Sequence, residues 1–181
     1  MSRRIIQSLA AAVFATFVIE TASAALVGDT ISVDFRSPDI NTIATLGNPN
    51  SVTVVDGASD SVVIEGLLYD AIVNPENTRI IIDFANGSGR FPFISAQFLG
   101  VFISGIDTAI ADVELVSSTL PEFDESRLVF GSDYIGFNFE GLTTGPPDQF
   151  IADLTFVPIP AAAWLFGSAL IGLGAVKRKR A

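Results

Sequence analysis

Ile31-Ser32-Val33-Asp34-Phe35-Arg36 alternates apolar and polar residues at every step. Successive side chains of an extended strand point to opposite faces. The stretch therefore predicts a half-buried strand, with Ile31, Val33 and Phe35 inward and Ser32, Asp34 and Arg36 outward. Ser37-Pro38-Asp39 ends it. The same period returns at Arg79 to Phe84, at Asp112 to Val116, at Tyr134 to Phe139 and at Phe150 to Phe156. Shorter apolar runs lie at Val52 to Val55, Val62 to Ile64 and Leu128 to Phe130.

Turn formers separate these runs: Asp56-Gly57, Glu65-Gly66, Asn74-Pro75-Glu76-Asn77, Asn86-Gly87-Ser88-Gly89, Leu120 to Glu125, and Gly145-Pro146-Pro147-Asp148. Phe93 to Ile103 is apolar on both parities, which predicts a central strand covered on both faces, with Gly100 marking a bulge or a close backbone approach. Only Leu67 to Val73 hints at helical periodicity, and it is short. About nine short strands with turns between them predict an all-β domain, an antiparallel β-sandwich of jelly-roll-like type. A closed barrel is the alternative. A transmembrane barrel is disfavoured, because the strands are short and lack aromatic girdles.

The two ends of the chain are of another kind. Arg3 and Arg4, the mostly apolar Ile5 to Ile19 and the small-x-small pattern Ala22-Ser23-Ala24 form a secretory signal, with Ala22 and Ala24 setting the cleavage site before Ala25. At the other end, Val157-Pro158-Ile159-Pro160-Ala161 is followed by an uncharged apolar stretch to Val176 and then by Lys177-Arg178-Lys179-Arg180. Pro160 suits the first turn of a helix and not its interior. A transmembrane helix is expected at about residues 160–176, at the short end of what a hydrocarbon core about 30 Å thick requires. The four cations stop it and orient the C-terminus to the cytoplasm. The expected organisation is thus 1–24 signal peptide, 25–156 exported domain and 157–181 sorting signal.

This tail resembles the C-terminal sorting signal of exosortase substrates, the PEP-CTERM class, in its Val-Pro-Leu-Pro-Ala (VPLPA) variant. Val157, Pro158, Pro160, Ala161, Ala162, Ala163, Trp164, Leu165, Phe166 and Gly167 carry the resemblance, with Ile159 in place of the usual Leu. It covers about 25 of 181 residues. It implies a Gram-negative envelope protein, held in the inner membrane and then cut near the motif by a membrane-embedded cysteine protease. Such substrates are associated with exopolysaccharide or biofilm matrix. The resemblance implies nothing about the chemistry of the exported domain.

Charge and composition narrow that chemistry. Residues 25–156 hold four arginines, Arg36, Arg79, Arg90 and Arg127, against nineteen acids, a formal charge of −15. Such a surface repels nucleic acid and anionic lipid. The chain has no Cys and no His. That removes disulfides, Ser-His-Asp and Cys-His arrangements, and nitrogen or sulfur metal ligands. No cofactor is expected. Carboxylates remain. Asp112 and Glu114 form a pair on one strand face, to be weighed for a two-carboxylate glycosidase. Asp56-Gly57-Ala58-Ser59-Asp60 and Glu122-Phe123-Asp124-Glu125 are the loops to weigh for calcium. Twelve of fifteen Phe lie in the domain, where spacing by two marks core, and Tyr69 and Tyr134 are its only Tyr. The expectation is a non-enzymatic surface or matrix component. Its partners are the inner membrane and an exosortase-type protease. A polysaccharide-binding module, calcium-assisted or not, is the first alternative.

Overall fold

In the computed structural model, residues 25–44, 50–55, 61–65 and 69–158 are described. The alternating stretches form strands, and every strand pairing is antiparallel. One five-stranded sheet contains β1 (Thr30–Arg36), β2 (Asn50–Thr53), β7 (Gly100–Ser104), β9 (Leu128–Phe130) and β10 (Tyr134–Asn138), in the order β2-β1-β7-β10-β9. The other contains β3 (Val62–Ile64), β4 (Asp70–Pro75), β5 (Arg79–Ala85), β8 (Ile110–Ser118) and β12 (Gln149–Phe156), in the order β3-β4-β5-β12-β8. A small pair joins β6 (Phe91–Pro92) and β11 (Thr143–Thr144). The only helical turn among the described residues is a 3₁₀ turn at Glu125–Arg127. Among them no helix is long and apolar enough to cross a membrane.

The inward side chains of the two large sheets join one core. Ile31 and Val33 of β1, Val101 and Ile103 of β7, and Ile135 and Phe137 of β10 meet Val73, Ile80, Ile82, Phe84, Phe150, Ala152 and Leu154 of the other sheet within a single cluster. Burying each Val, Leu, Ile or Phe of this cluster stabilises the fold by about 1.5–3 kcal/mol. Aromatic rings fill its middle. Phe150 lies 4.6 Å from Phe123 and 4.9 Å from Phe139, and Phe84 lies 5.2 Å from Phe139, centroid to centroid. Phe123 comes from the loop Leu120 to Glu125, which plugs the core with one ring. Nine of the twelve domain Phe are buried, while Phe91 and Phe130 are exposed.

One sequence expectation changes. Phe93 to Leu99 is apolar but is not a strand, and β7 begins only at Gly100. Its buried residues Phe93, Phe98 and Leu99 reach the interior from irregular backbone, so apolar content on both parities did not mean extended structure. Gly100 is a close approach as expected, since an added Cβ would fall 1.8 Å from the Phe137 carbonyl oxygen. The stretch Leu67 to Val73, too short to predict a helix, leads into strand β4 from Asp70, which has partners on both sides. The ladders form two large sheets with their own edges rather than one closed barrel.

Candidate functional site

The outward side of the β1 sheet carries the most organised polar surface among the described residues. Strand register builds it. Ser51 of β2 lies opposite Ser32 of β1, Ser32 opposite Ser104 of β7, and Ser104 opposite Tyr134 of β10. One row perpendicular to four strands therefore presents four hydroxyl side chains. Beside it, Thr30 and Thr53 pair across β1 and β2 with their hydroxyl oxygens 3.0 Å apart. Ser51 is exposed and the other three of the row are half-buried. Among the described residues no hydroxyl of the row has a hydrogen-bond partner in the protein, so each can still donate and accept.

The row rests on a rigid neighbour. One step along the outward face, Asp34 lies opposite Phe102, Phe102 opposite Gly136, and Gly136 opposite Val129. Arg36 Nε donates to Asp34 Oδ1 at 2.7 Å, Nη2 to Oδ2 at 3.3 Å, and Nη1 to the Ile40 carbonyl at 2.6 Å. The guanidinium carbon sits 3.4 Å from the Phe102 ring centroid. The Tyr134 ring stacks on Phe102 at 5.0 Å and 26°. Arg36 is opposite Gly100 and Tyr134 opposite Ser104, so the two flank Phe102 from opposite directions along β7. A cation on an aromatic face contributes about 0.5–2 kcal/mol, and an aromatic pair about 0.5–1.5 kcal/mol beyond its area.

Glycines shape the same face. A Cβ at Gly136 would meet Val129 Cγ2 at 2.9 Å and Phe98 Cε2 at 3.0 Å, so Phe98 can lie flat over β10 only because Gly136 has no side chain. A Cβ at Gly131 would meet Tyr134 Cε1 at 2.4 Å. Tyr134 is thus held by Phe102 and by the Gly131 backbone, and its ring position is fixed. Backbone bonds from Gln97 and Phe98 to the Pro38 carbonyl tie the loop after β1 to the segment before β7, beside the buried Asp34.

A second polar cluster lies at the β6–β11 pair. Arg90 Nη2 donates to Asp148 Oδ2 at 2.9 Å and to the Thr143 carbonyl at 2.7 Å, and the Gly145 amide donates to Asp148 Oδ2 at 3.0 Å. The Tyr69 and Thr144 hydroxyl oxygens are 2.6 Å apart. Burial pushes the Tyr69 hydroxyl pKa up, the Thr144 bond works against that, and the nearby Asp148 charge adds to it. Each of these groups is engaged by another. They close a rim; they do not offer a free donor set.

The residues singled out in the sequence are placed apart. Asp112 and Glu114 are exposed on edge strand β8, on either side of buried Val113. Asp112 Oδ1 accepts from the Val113 amide, and Glu114 lies opposite Asp153, whose carboxylate is paired with Arg79. Asp124 caps the 3₁₀ turn, accepting from the Ser126 amide at 2.9 Å and from its hydroxyl, and these bonds hold its pKa below the usual carboxylate range. Among the described residues no three His, Cys, Asp or Glu side chains gather as ligands for a metal ion. Asp29 accepts from the Asp107 amide at 3.0 Å, and burial raises its pKa despite that bond. Val157 and Pro158 are exposed at the end of β12. Ala22, Ala24, Ile159, Pro160, Ala161, Lys177, Arg178, Lys179, Arg180 and the loop Asp56 to Asp60 lie outside the described residues.

Compared with protein-family models, curated proteins and solved structures, the chain matches none. The hydroxyl row escaped the sequence reading because its members stand at 32, 51, 104 and 134, and only register unites them. The Asp34–Arg36 pair did leave a signal. Two opposite charges two apart on a strand share a face.

Proposed function

We propose that this chain is an exported bacterial envelope or extracellular-matrix protein, non-enzymatic, and sorted by an exosortase-type system. The carrying observation is the pairing of a signal sequence at 1–24 with the three-part tail at 157–181. The end of the domain fits that reading. Strand β12 stops at Phe156, and the motif's first two residues, Val157 and Pro158, are exposed immediately after it. In this reading the protein is held by a helix at about residues 160–176 with Lys177 to Arg180 in the cytoplasm. It is then released to the envelope surface or beyond by cleavage near the motif.

The exported part is read as a jelly-roll-like β-sandwich. One core shared by two five-stranded antiparallel sheets supports this. The absence of His and Cys from the chain, and the engagement of Asp34, Asp148 and Asp153 by arginines, favour a non-catalytic role. Mass spectrometry of the mature protein, from cells possessing such a protease, should find a C-terminus near Pro158 to Ala161. An intact Arg180-Ala181 end in those cells would overturn the processing and leave a permanent anchor. A polysaccharide-binding role is the second reading, favoured by the unpartnered hydroxyl row on the β1 sheet.

A further inference from the structure

We propose that Ser51, Ser32, Ser104 and Tyr134 form a binding row for an uncharged linear polysaccharide, laid across strands β2, β1, β7 and β10. The inference gives a site and a ligand class to the polysaccharide reading above, on which it rests. It does not depend on tail processing.

Chemistry selects the ligand class. The row contains no charged side chain. Each member offers one donor and two acceptor lone pairs, and none is consumed by the protein among the described residues. A partner that carries donors and acceptors together uses both halves of each group, and the hydroxyls of a sugar do so. The domain's charge of −15 works against uronic-acid polymers, nucleic acid and anionic lipid. The one buried charge beside the row, Asp34, is neutralised by Arg36 and contributes no net attraction for a cation.

Geometry selects its orientation. Neighbouring strands lie about 4.8 Å apart, so the four backbone positions span roughly 14 Å at a regular step. A pyranose unit is about as long as one such step. A chain running perpendicular to the strands can thus present one sugar to each strand, whereas a chain running along β1 would meet Ser32 and then the covered Asp34. The floor is also pre-ordered. Backbone ladders fix the backbone of the three short serines, and Phe102 and Gly131 hold the Tyr134 ring, so ordering that long side chain costs little on binding. Among the described residues, the outward face of the other sheet lacks such a row. There, half-buried Ile72, Ile81 and Ile151 alternate with groups already paired, such as Asp83 with Gln149 and Arg79 with Asp153.

The test is affinity electrophoresis of the full chain in detergent, through gels containing hydroxyethyl cellulose, laminarin or galactomannan, with alginate as the polyanionic control. Retardation by at least one neutral polymer and none by alginate is expected. Tyr134→Phe keeps the stacked ring and removes only the hydroxyl, and should weaken the interaction several-fold. The Ser32→Ala, Ser104→Ala double variant should weaken it by about tenfold or more, as expected for lost hydrogen bonds. Thr155→Ala, on the other sheet, should leave it unchanged. No retardation by any of the three neutral polymers overturns the proposal, and so does retardation that the row variants do not alter. Retardation by alginate alone would equally overturn it. The C-terminal mass reads processing separately, so failure of either reading is visible without the other.

Discussion

Each large sheet turns one arginine–aspartate pair outward, and the two pairs sit in opposite surroundings. Arg36 and Asp34 lie on one strand, two residues apart, with side chains 17% and 3% exposed. Arg79 and Asp153 lie on neighbouring strands β5 and β12, with side chains 39% and 39% exposed. Both pairs are bidentate, at 2.7 and 3.3 Å in the first and 2.6 and 2.9 Å in the second. Close geometry alone therefore does not separate them. Burial does. The first pair is largely shielded from water, and Arg36 also meets the Phe102 ring and the loop carbonyl of Ile40. The second is solvent-screened and coupled to little else. The same two residue types build a support beneath one face and a surface ornament on the other.

The largest effect is expected at Asp34. Asp34→Ala leaves the Arg36 guanidinium without its counter-charge beside an aromatic ring, and should cost about 3–5 kcal/mol in denaturant unfolding. A loss no larger than that of a surface substitution would erase the contrast between the faces. Gly136→Ala comes next. The added methyl pushes Phe98 and Val129 off β10 and should cost about 1–3 kcal/mol, with a lowered thermal midpoint.

Asp29, buried just before β1, extends the contrast to pH. Its folded pKa is raised by burial, so its contribution is fully present below the ordinary carboxylate value and is lost as pH rises through the raised value. Asp29→Asn keeps an oxygen for the Asp107 amide. It should match the wild type in acid and exceed it in stability near neutrality; equal stability at both pH values would contradict this. The smallest effect belongs to Asp153. Its pKa is held down mainly by the Arg79 hydrogen bonds, so the stability it lends is present above the ordinary carboxylate value and fades as pH falls through the lowered one. Asp153→Asn should produce only a slight drop in thermal midpoint at neutral pH. That drop should shrink with added salt, because an exposed pair is screened.

Much of the fold was legible in single stretches. β5 and β12 bury every second residue, and β1 does so up to Val33, so alternation alone located them and oriented their faces. The stretch Phe93 to Leu99 misled because an irregular segment can bury apolar side chains as well as a strand can. β6 and β11 have two residues each, too few to show a period. The Asp124 cap carried a local signal, an Asp followed two residues later by Ser. The candidate binding face did not, because Ser32, Ser51, Ser104 and Tyr134 are ordinary residues until pairing aligns them. Nor could spacing show that Asp34 is buried, since Phe102, which lies opposite it, is brought there by strand pairing from far along the chain.

The position of β12 has a mechanical consequence. It is hydrogen-bonded to β5 along one side and to β8 along the other, and it leads directly into Val157. A pull transmitted through Val157 loads in shear a ladder to β5 over Gln149 to Asp153 and one to β8 over Phe150 to Phe156, rather than peeling an edge strand one bond at a time. Phe150, Ala152, Leu154 and Phe156 must leave the core together for the strand to slide. Strand β12 thus resists a pull along its own axis through two ladders and four buried side chains at once.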